Sequence, residues 1–341
     1  MRILILGGTE FVGRAFVDDA LARGWHVTTF NRQTRTPQQG VESLRGNRWE
    51  TDGLDELRGG HWNIVVDTWS WAPIAVRDAA ALLAQSADSY VYVSSRSVYE
   101  SPLPAGSTES APLVESAADL TEAEYAQAKR GGELAAFEYF GDRAILLRAG
   151  LILGPNENIG RLPWWLNRAA RGGDMLAPGP AEQGIQYIDV RDLAAFGLDA
   201  AAAGLGGAFD IVSPAGATTM RDLIEACVNA TGADARLRWV DPQVILDAGI
   251  EPWTQLPAWL PPGELHNSLH GSDTSKAVAA GLRIRPLGET VSDTWAWLQE
   301  LDGEAPQRED RPRLGLDPEV EARVLADQRF EDTVADLQRS E

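Results

Sequence analysis

Near the start of the chain four apolar residues stand in a row, Ile3-Leu4-Ile5-Leu6, bounded by Gly7. A short, uninterrupted apolar run suits a strand buried on both faces of a parallel sheet. Phe11, Val12, Phe16, Ala20 and Leu21 then recur at helical spacing, so the amphipathic run from Arg14 to Arg23 is predicted to press a helix onto that sheet. The alternation continues. Strands are predicted at His26 to Phe30, Trp62 to Asp67, Ser89 to Ser94 and Ala144 to Arg148. Helices are predicted from Pro73 through Leu83, with proline at the first helical position, and from near Leu120-Thr121 past Lys129. Gln33 to Gly46 reads as polar and irregular, with a short strand at Asn47 to Thr51. Strand and helix alternating through residue 150 argue for an α/β fold with a Rossmann-type, doubly wound parallel sheet.

Beyond Pro155 the rhythm changes. Leu162 to Arg171, Thr219 to Thr231 and Val291 to Leu301 read as helices, and Gly172 to Pro180 is rich in glycine and proline. Gln186 to Leu193 returns to an apolar strand that leads into a helix through Ala203. Ala208 to Val212 and Arg236 to Val240 read as short strands. The expected organisation is a dinucleotide-binding domain over 1–154, with 186–213 rejoining its sheet. A smaller C-terminal α/β substrate lid is expected from 155–185 and 214–302. The last segment, 303–341, is charged, and Asp317-Pro318-Glu319 is a good helix start, so a surface helix or a mobile tail is expected there.

Length and composition are those of a globular protein: 341 residues, 44% hydrophobic and 23% charged. The formal net charge of −20 repels phosphate backbones, which argues against nucleic acid and anionic membranes as partners. No apolar run reaches the length of a membrane span, and because the first strand begins at once no leader is expected. The lone cysteine, Cys227, forms no internal disulfide and reads as a buried core thiol, so a cytoplasmic setting is expected.

Candidate chemistry begins at Gly7-Gly8-Thr9-Glu10-Phe11-Val12-Gly13. Glycines between a strand and a helix permit a tight turn whose N–H groups approach a pyrophosphate at the helix N-terminus. The next strand ends at Asn31-Arg32. NAD-selective folds place an acid there for the ribose 2′-hydroxyl, whereas an arginine accommodates the 2′-phosphate of NADP. Neutral Asn31 beside Arg32 and Arg35 therefore favours NADP(H), with NAD(H) as the alternative. Asp52 is a candidate adenine contact. Thr68 and Trp69, at the carboxyl end of a predicted strand, are candidate cofactor contacts.

Tyr125 and Lys129 are four apart and share one helix face. Among 30 basic residues only Lys129 and Lys276 are lysines, so a lysine kept where arginine otherwise serves suggests a role for a compact ammonium. A phenol titrates near 10, and a neighbouring cation favours the phenolate. Tyr125 is then a general acid/base for a substrate hydroxyl or carbonyl, and Ser95 hydrogen-bonds the same oxygen.

Taken together, Gly7 to Gly13, Ser94-Ser95-Arg96-Ser97-Val98-Tyr99, Tyr125 through Lys129 with Glu133, Leu147 to Pro155, Gln186 to Leu193 and Asp273 to Pro286 resemble an extended or atypical short-chain dehydrogenase/reductase of the NAD-dependent epimerase/dehydratase family. The resemblance spans residues 1 to about 300. It implies Ser95, Tyr125 and Lys129 as the catalytic set. Gly7, Gly8, Thr9, Phe11, Val12 and Gly13 are implied at the pyrophosphate turn, and Asn31 and Arg32 at the adenosine ribose. Ser94, Ala149, Gly150 and Leu151 are implied near the cofactor. Glu10 departs from the pattern by replacing a glycine, which points to an atypical branch.

Substrate contacts are expected from Ser95, Arg96, Asn158, Trp164, Trp165 and Gln186, with Trp253 and Trp259 as further aromatic candidates. Arg161 and Arg168 read as solvated, with contact to a substrate phosphate as the alternative. His266 and His270, four apart, lack the further ligands a zinc site needs, so no metal is expected. The leading function is an NADP(H)-dependent oxidoreductase acting on a small molecule. The alternatives are a nucleotide-sugar epimerase/dehydratase that retains NAD(P) and a non-enzymatic NADP(H)-binding sensor or scaffold. A monomer or homodimer is expected; dimers through paired helices are common in the family.

Overall fold

Alternating side chains bury the first strand on both sides. β1 (Arg2–Leu6) sends Ile3 and Ile5 into one apolar cluster and Leu4 and Leu6 into another, so the run has no place for a polar residue. The structure is a computed structural model and describes residues 1–34, 38–50, 52–308 and 311–327. In chain order β1 is followed by α1 (Phe11–Ala22), β2 (His26–Asn31), β3 (Val41–Arg45), β4 (Trp62–Asp67), α2 (Pro73–Leu83), β5 (Ala87–Ser95), α3 (Tyr125–Phe140) and β6 (Ala144–Ala149). Next come β7 (Leu151–Leu153), α4 (Arg161–Ala170), β8 (Gly173–Pro178), β9 (Tyr187–Asp189), α5 (Val190–Ala202) and β10 (Gly207–Ile211). The remainder comprises α6 (Met220–Thr231), β11 (Ala235–Val240), α7 (Pro242–Asp247), β12 (Pro252–Trp253), β13 (Leu256–Pro257), α8 (Glu264–His270), α9 (Ser275–Ala279), α10 (Leu287–Gln299) and a helix α11 over 318–327.

Two compact units result. The first holds Met1–Ile152, Tyr187–Pro214 and Gly271–Ile284. Its seven strands run in the order β10-β6-β5-β4-β1-β2-β3, and every neighbouring pair is parallel. Helices α1 and α5 cover one face and α2 and α3 the other, so the sheet is doubly wound as the sequence predicts. The chain order reverses at β1, between β2 and β4, and ligands of such sheets lie outside the carboxyl ends of strands at that switch.

Two expectations are corrected here. The third strand is Val41–Arg45, within the stretch read as irregular, rather than Asn47 to Thr51. It is an edge strand with a mostly polar, half-exposed pattern, and its pairing with β2 is made by the backbone. The helix bearing Tyr125 begins at Tyr125 itself, not near Leu120. The Leu120 carbonyl accepts the Ile74 amide at the start of α2 and is thereby taken out of a helical ladder.

The second unit holds Leu153–Gln186, Ala215–His270 and the chain from Arg285 onward. Its parallel pair β8–β11 arises from the glycine- and proline-rich stretch and the predicted strand at Arg236 to Val240. Helix α6 starts on a reciprocal cap, in which Thr219 Oγ1 accepts the Asp222 amide and Asp222 accepts the Thr219 amide. The expected tail contains an anchored helix. In α11 Val324 and Leu325 are buried, and both Glu321 carboxylate oxygens lie 2.7 Å from Arg168 Nε. Arg168 is therefore neither solvated nor aimed at a phosphate; it is the buried partner of Glu321. Among the described residues no helix is long and apolar enough to cross a membrane.

Candidate dinucleotide and proton-transfer site

The glycine turn lies in the first unit between β1 and α1. Gly7 has φ 120°, and a Cβ there would stand 2.6 Å from Thr68 Oγ1. A Cβ on Gly13 would stand 2.6 Å from the Gly8 amide nitrogen. Both positions exclude a side chain, and the turn they leave is a bare-backbone approach to the N-terminus of α1, which suits the pyrophosphate of a dinucleotide. Thr9 is half-buried, Phe11 packs into the core and Val12 lies against it. Glu10 is an exposed N-cap residue with extended backbone, its carbonyl accepting the Arg14 amide.

At the carboxyl end of β2 the Asn31 amide donates to Gly7 O at 3.3 Å and its Oδ1 accepts the Gln33 amide at 2.7 Å. Asn31 thus ties the strand end to the glycine turn. Arg32 is exposed beside it, and Arg35 lies outside the described residues. Asp52 is an exposed turn residue. At the end of β4, Thr68 Oγ1 donates to Leu6 O at 3.1 Å, and the Trp69 indole lies 5.3 Å from that of Trp49.

Helix α3 places Tyr125 at its first position, 39% exposed, and Lys129 one turn later, 2% exposed. The Lys129 ammonium donates to Trp69 O and Val93 O, each at 2.7 Å, and lies 5.1 Å from the Tyr92 ring centre. The structure therefore brings Lys129 to the carboxyl end of β5, the strand that carries Ser95. Ser95 Oγ accepts the Ser97 amide and donates to Ser97 Oγ, both at 3.1 Å. Burial and the negative charges of Asp67 and Glu133 hold the Tyr92 phenol well above its usual range. Ala149 and Leu151 are buried, and a Cβ on Gly150 would meet Val212 at 2.3 Å.

Two residues expected at ligands face inward instead. Ser94 Oγ donates to Glu133 Oε1 at 2.7 Å inside a buried network. In it Arg148 grips both Glu133 oxygens at 2.9 Å and donates to the Tyr99 hydroxyl, which donates to Asp210 at 2.7 Å. Arg96, expected at the substrate, is buried and sits 3.5 Å from Asp210. Sequence reasoning saw Glu133 only as part of a resemblance. A second buried network was not seen at all: Arg48 pairs in bidentate fashion with Asp67 at 2.7 and 2.9 Å, and Tyr90 donates to the same carboxylate at 2.5 Å. An acidic residue closing a strand whose other buried positions are apolar was the available signal for Asp67.

The second unit carries the other substrate candidates. Trp165 is fully buried, and its indole N–H donates to Pro257 O at 2.7 Å, so it is a core residue and not a ligand wall. Trp259 is equally buried and donates to Gly179 O. Trp164 stays half-buried, edge-on to Trp165 at 4.6 Å, and packs closely against Gly315. Asn158 O accepts the Arg308 amide. Gln186 is buried, its amide donating to His270 Nδ1 at 3.0 Å, while His266 Nε2 meets Gly184 O at 2.9 Å. Arg161 lies over the Trp253 ring at 5.7 Å. Glu157 is buried at the head of α4 and accepts the Arg161 and Leu162 amides; burial pushes its carboxyl up to about 7, against the pull of Arg161 and those amides. Among the described residues no cluster of His, Cys, Asp and Glu is placed to hold a metal.

A parallel doubly wound sheet and a side-chain-free turn before α1 are features suited to a dinucleotide, and Tyr125 and Lys129 stand one helical turn apart at the head of α3. Residues 72–211 match the model of the NAD dependent epimerase/dehydratase family, which bears out the resemblance carried by the motifs. A putative epimerase from Burkholderia cenocepacia is 19% identical, with TM-score 0.66 over 88% of this chain and 98% of that one. UDP-glucuronic acid 4-epimerase from Bacillus cereus, in complex with NAD, is 14% identical, with TM-score 0.64 over 88% and 99%. The Bordetella bronchiseptica enzyme WbmG, in complex with NAD and UDP, is 16% identical, with TM-score 0.62 over 92% and 99%. No curated protein matches the sequence.

Proposed function

We propose that this protein transfers hydride between a nicotinamide dinucleotide and a hydroxyl- or carbonyl-bearing small molecule, with Tyr125 as general acid/base. The observation that carries this reading is Lys129: a buried ammonium one helical turn from Tyr125, held at the end of the strand that bears Ser95. The bound dinucleotide supplies the hydride chemistry. The Lys129 ammonium, a compact hydrogen-bond donor, would hold a ribose hydroxyl of the bound dinucleotide. Tyr125 takes a proton from the substrate hydroxyl, or returns one to the carbonyl oxygen. Ser95, anchored by the Ser97 amide, turns its proton to that oxygen and stabilises its charge.

Two finer readings differ in how the cofactor is held. Exposed Arg32 beside neutral Asn31 favours an oxidoreductase using dissociable NADP(H). The similarity to solved UDP-sugar epimerases favours an epimerase or dehydratase that keeps NAD through transient oxidation of a nucleotide sugar.

The test begins with the absorbance of untreated protein and continues with NADPH and NADH titrations read by tryptophan quenching. An empty site that binds NADPH far more tightly supports the oxidoreductase; NAD already in place supports the epimerase/dehydratase. Tyr125→Phe is then expected to abolish turnover and retain cofactor binding. Unchanged turnover would falsify the mechanism, and binding without turnover on broad carbonyl and nucleotide-sugar panels leaves the sensor reading.

A further inference from the structure

We propose that Trp69 is a positioning residue for Lys129, held in place by the buried Arg48–Asp67 pair. The proposal rests on the reading of Lys129 as the catalytic lysine. Val93 O, which receives the ammonium, belongs to β5, which is paired on both sides within the parallel sheet. Trp69 O belongs to the loop after β4 and has no such ladder. That loop residue is fastened at every polar group it owns. Its amide donates to Asp67 Oδ1 at 2.9 Å, and its indole N–H donates to Ala72 O at 3.0 Å. Its carbonyl also receives the Tyr92 hydroxyl at 3.1 Å. The Arg48 guanidinium lies over its ring at 4.8 Å while gripping Asp67 with both terminal nitrogens and donating onward to Ala75 O.

The chemistry explains why such fixing is useful. Carbonyl dipoles stabilise an ammonium without cancelling its charge. A dipole works only at short range and in the right orientation, so the Trp69 peptide has to be set independently of the lysine. Asp67 sets it through the amide, and the guanidinium fork of Arg48 sets Asp67. Arg48 and Asp67 are 19 residues apart, and Trp69 and Lys129 are 60 apart, so the relay exists only in the fold.

The chain has only two lysines, which makes the test direct. Protein labelled with 13Cε-lysine gives two side-chain signals, assigned with Lys276→Arg, and each is followed across pH. Trp69→Ala removes the ring under Arg48 and the bond to Ala72. It is expected to lower the Lys129 midpoint by about half a unit or more, with Lys276 unmoved. Trp69→Phe, which restores a ring under Arg48, is expected to return the midpoint to within about 0.2 units of wild type. If Trp69→Ala does not fold, Arg48→Lys, which keeps the charge and loses the fork, is read for the same downward shift. A purely structural role lowers the melting temperature and leaves the Lys129 titration in place, and that result in the folded variant overturns the proposal. Adding NADPH or NADH to wild-type protein freed of any carried-over nicotinamide separates the two claims: a Lys129 signal that ignores both cofactors breaks the catalytic reading, whatever the variants do.

Discussion

Glu157 and Lys129 are both buried ionisable groups, with different partners. Lys129 donates to two carbonyls, whereas Glu157 is raised to about 7 from an ordinary 4.5 even with backbone amides at its oxygens. Between those values the native protein keeps a proton that the unfolded chain has released, so stability falls as pH rises through that window. The loss is at most roughly 3 kcal/mol. Glu157→Gln cannot titrate. The unfolding free energy of wild type relative to this variant is therefore expected to decline between pH 4.5 and 7 and then level off; a constant difference refutes it. Tyr125 and Lys129 were legible in the sequence because a helix turns spacing into proximity. The Arg48–Asp67 pair was not, because nothing local relates a loop arginine to the end of a later strand.

Among the elements, α11 and α3 depart most from expectation. Charged residues at the C-terminal end read as solvated, yet Glu321 also accepts the Leu176 amide at 3.0 Å and so joins α11 to α4 and β8. Glu321→Ala leaves the Arg168 guanidinium buried without its carboxylate, a change expected to cost about 3 kcal/mol or more. Urea unfolding should show the loss, and amide exchange should show faster opening of α4. A variant as stable as wild type would place the anchoring elsewhere. The start of α3 matters for chemistry, since beginning at Tyr125 puts the phenol at the helix mouth, partly exposed, and the ammonium one turn inside. Helical periodicity predicted the helix and missed its first residue because the terminating bond, Ile74 to Leu120, comes from another element.

For the whole molecule the formal charge of −20 is the dominant electrostatic fact. Self-repulsion of that size weakens the compact state, and salt screens it, with a Debye length of about 10 Å at 0.1 M. The melting temperature is expected to rise from 10 mM to 300 mM potassium chloride by several degrees, measured calorimetrically; a fall would mean that ion pairs such as Arg23–Asp19 and Arg236–Asp174 outweigh the net repulsion.

By itself the sequence determined the doubly wound sheet, the glycine turn and the tyrosine–lysine helix. Each follows from short-range rules: alternation in a strand, 3.6-residue periodicity in a helix, and positive φ at glycine. Tertiary structure alone decided that β3 is Val41–Arg45, that Ser94, Arg96 and Trp165 face inward, and that Trp69 O meets Lys129. Those outcomes depend on which buried polar group finds which partner across the sheet, and such pairings leave no periodicity in the chain.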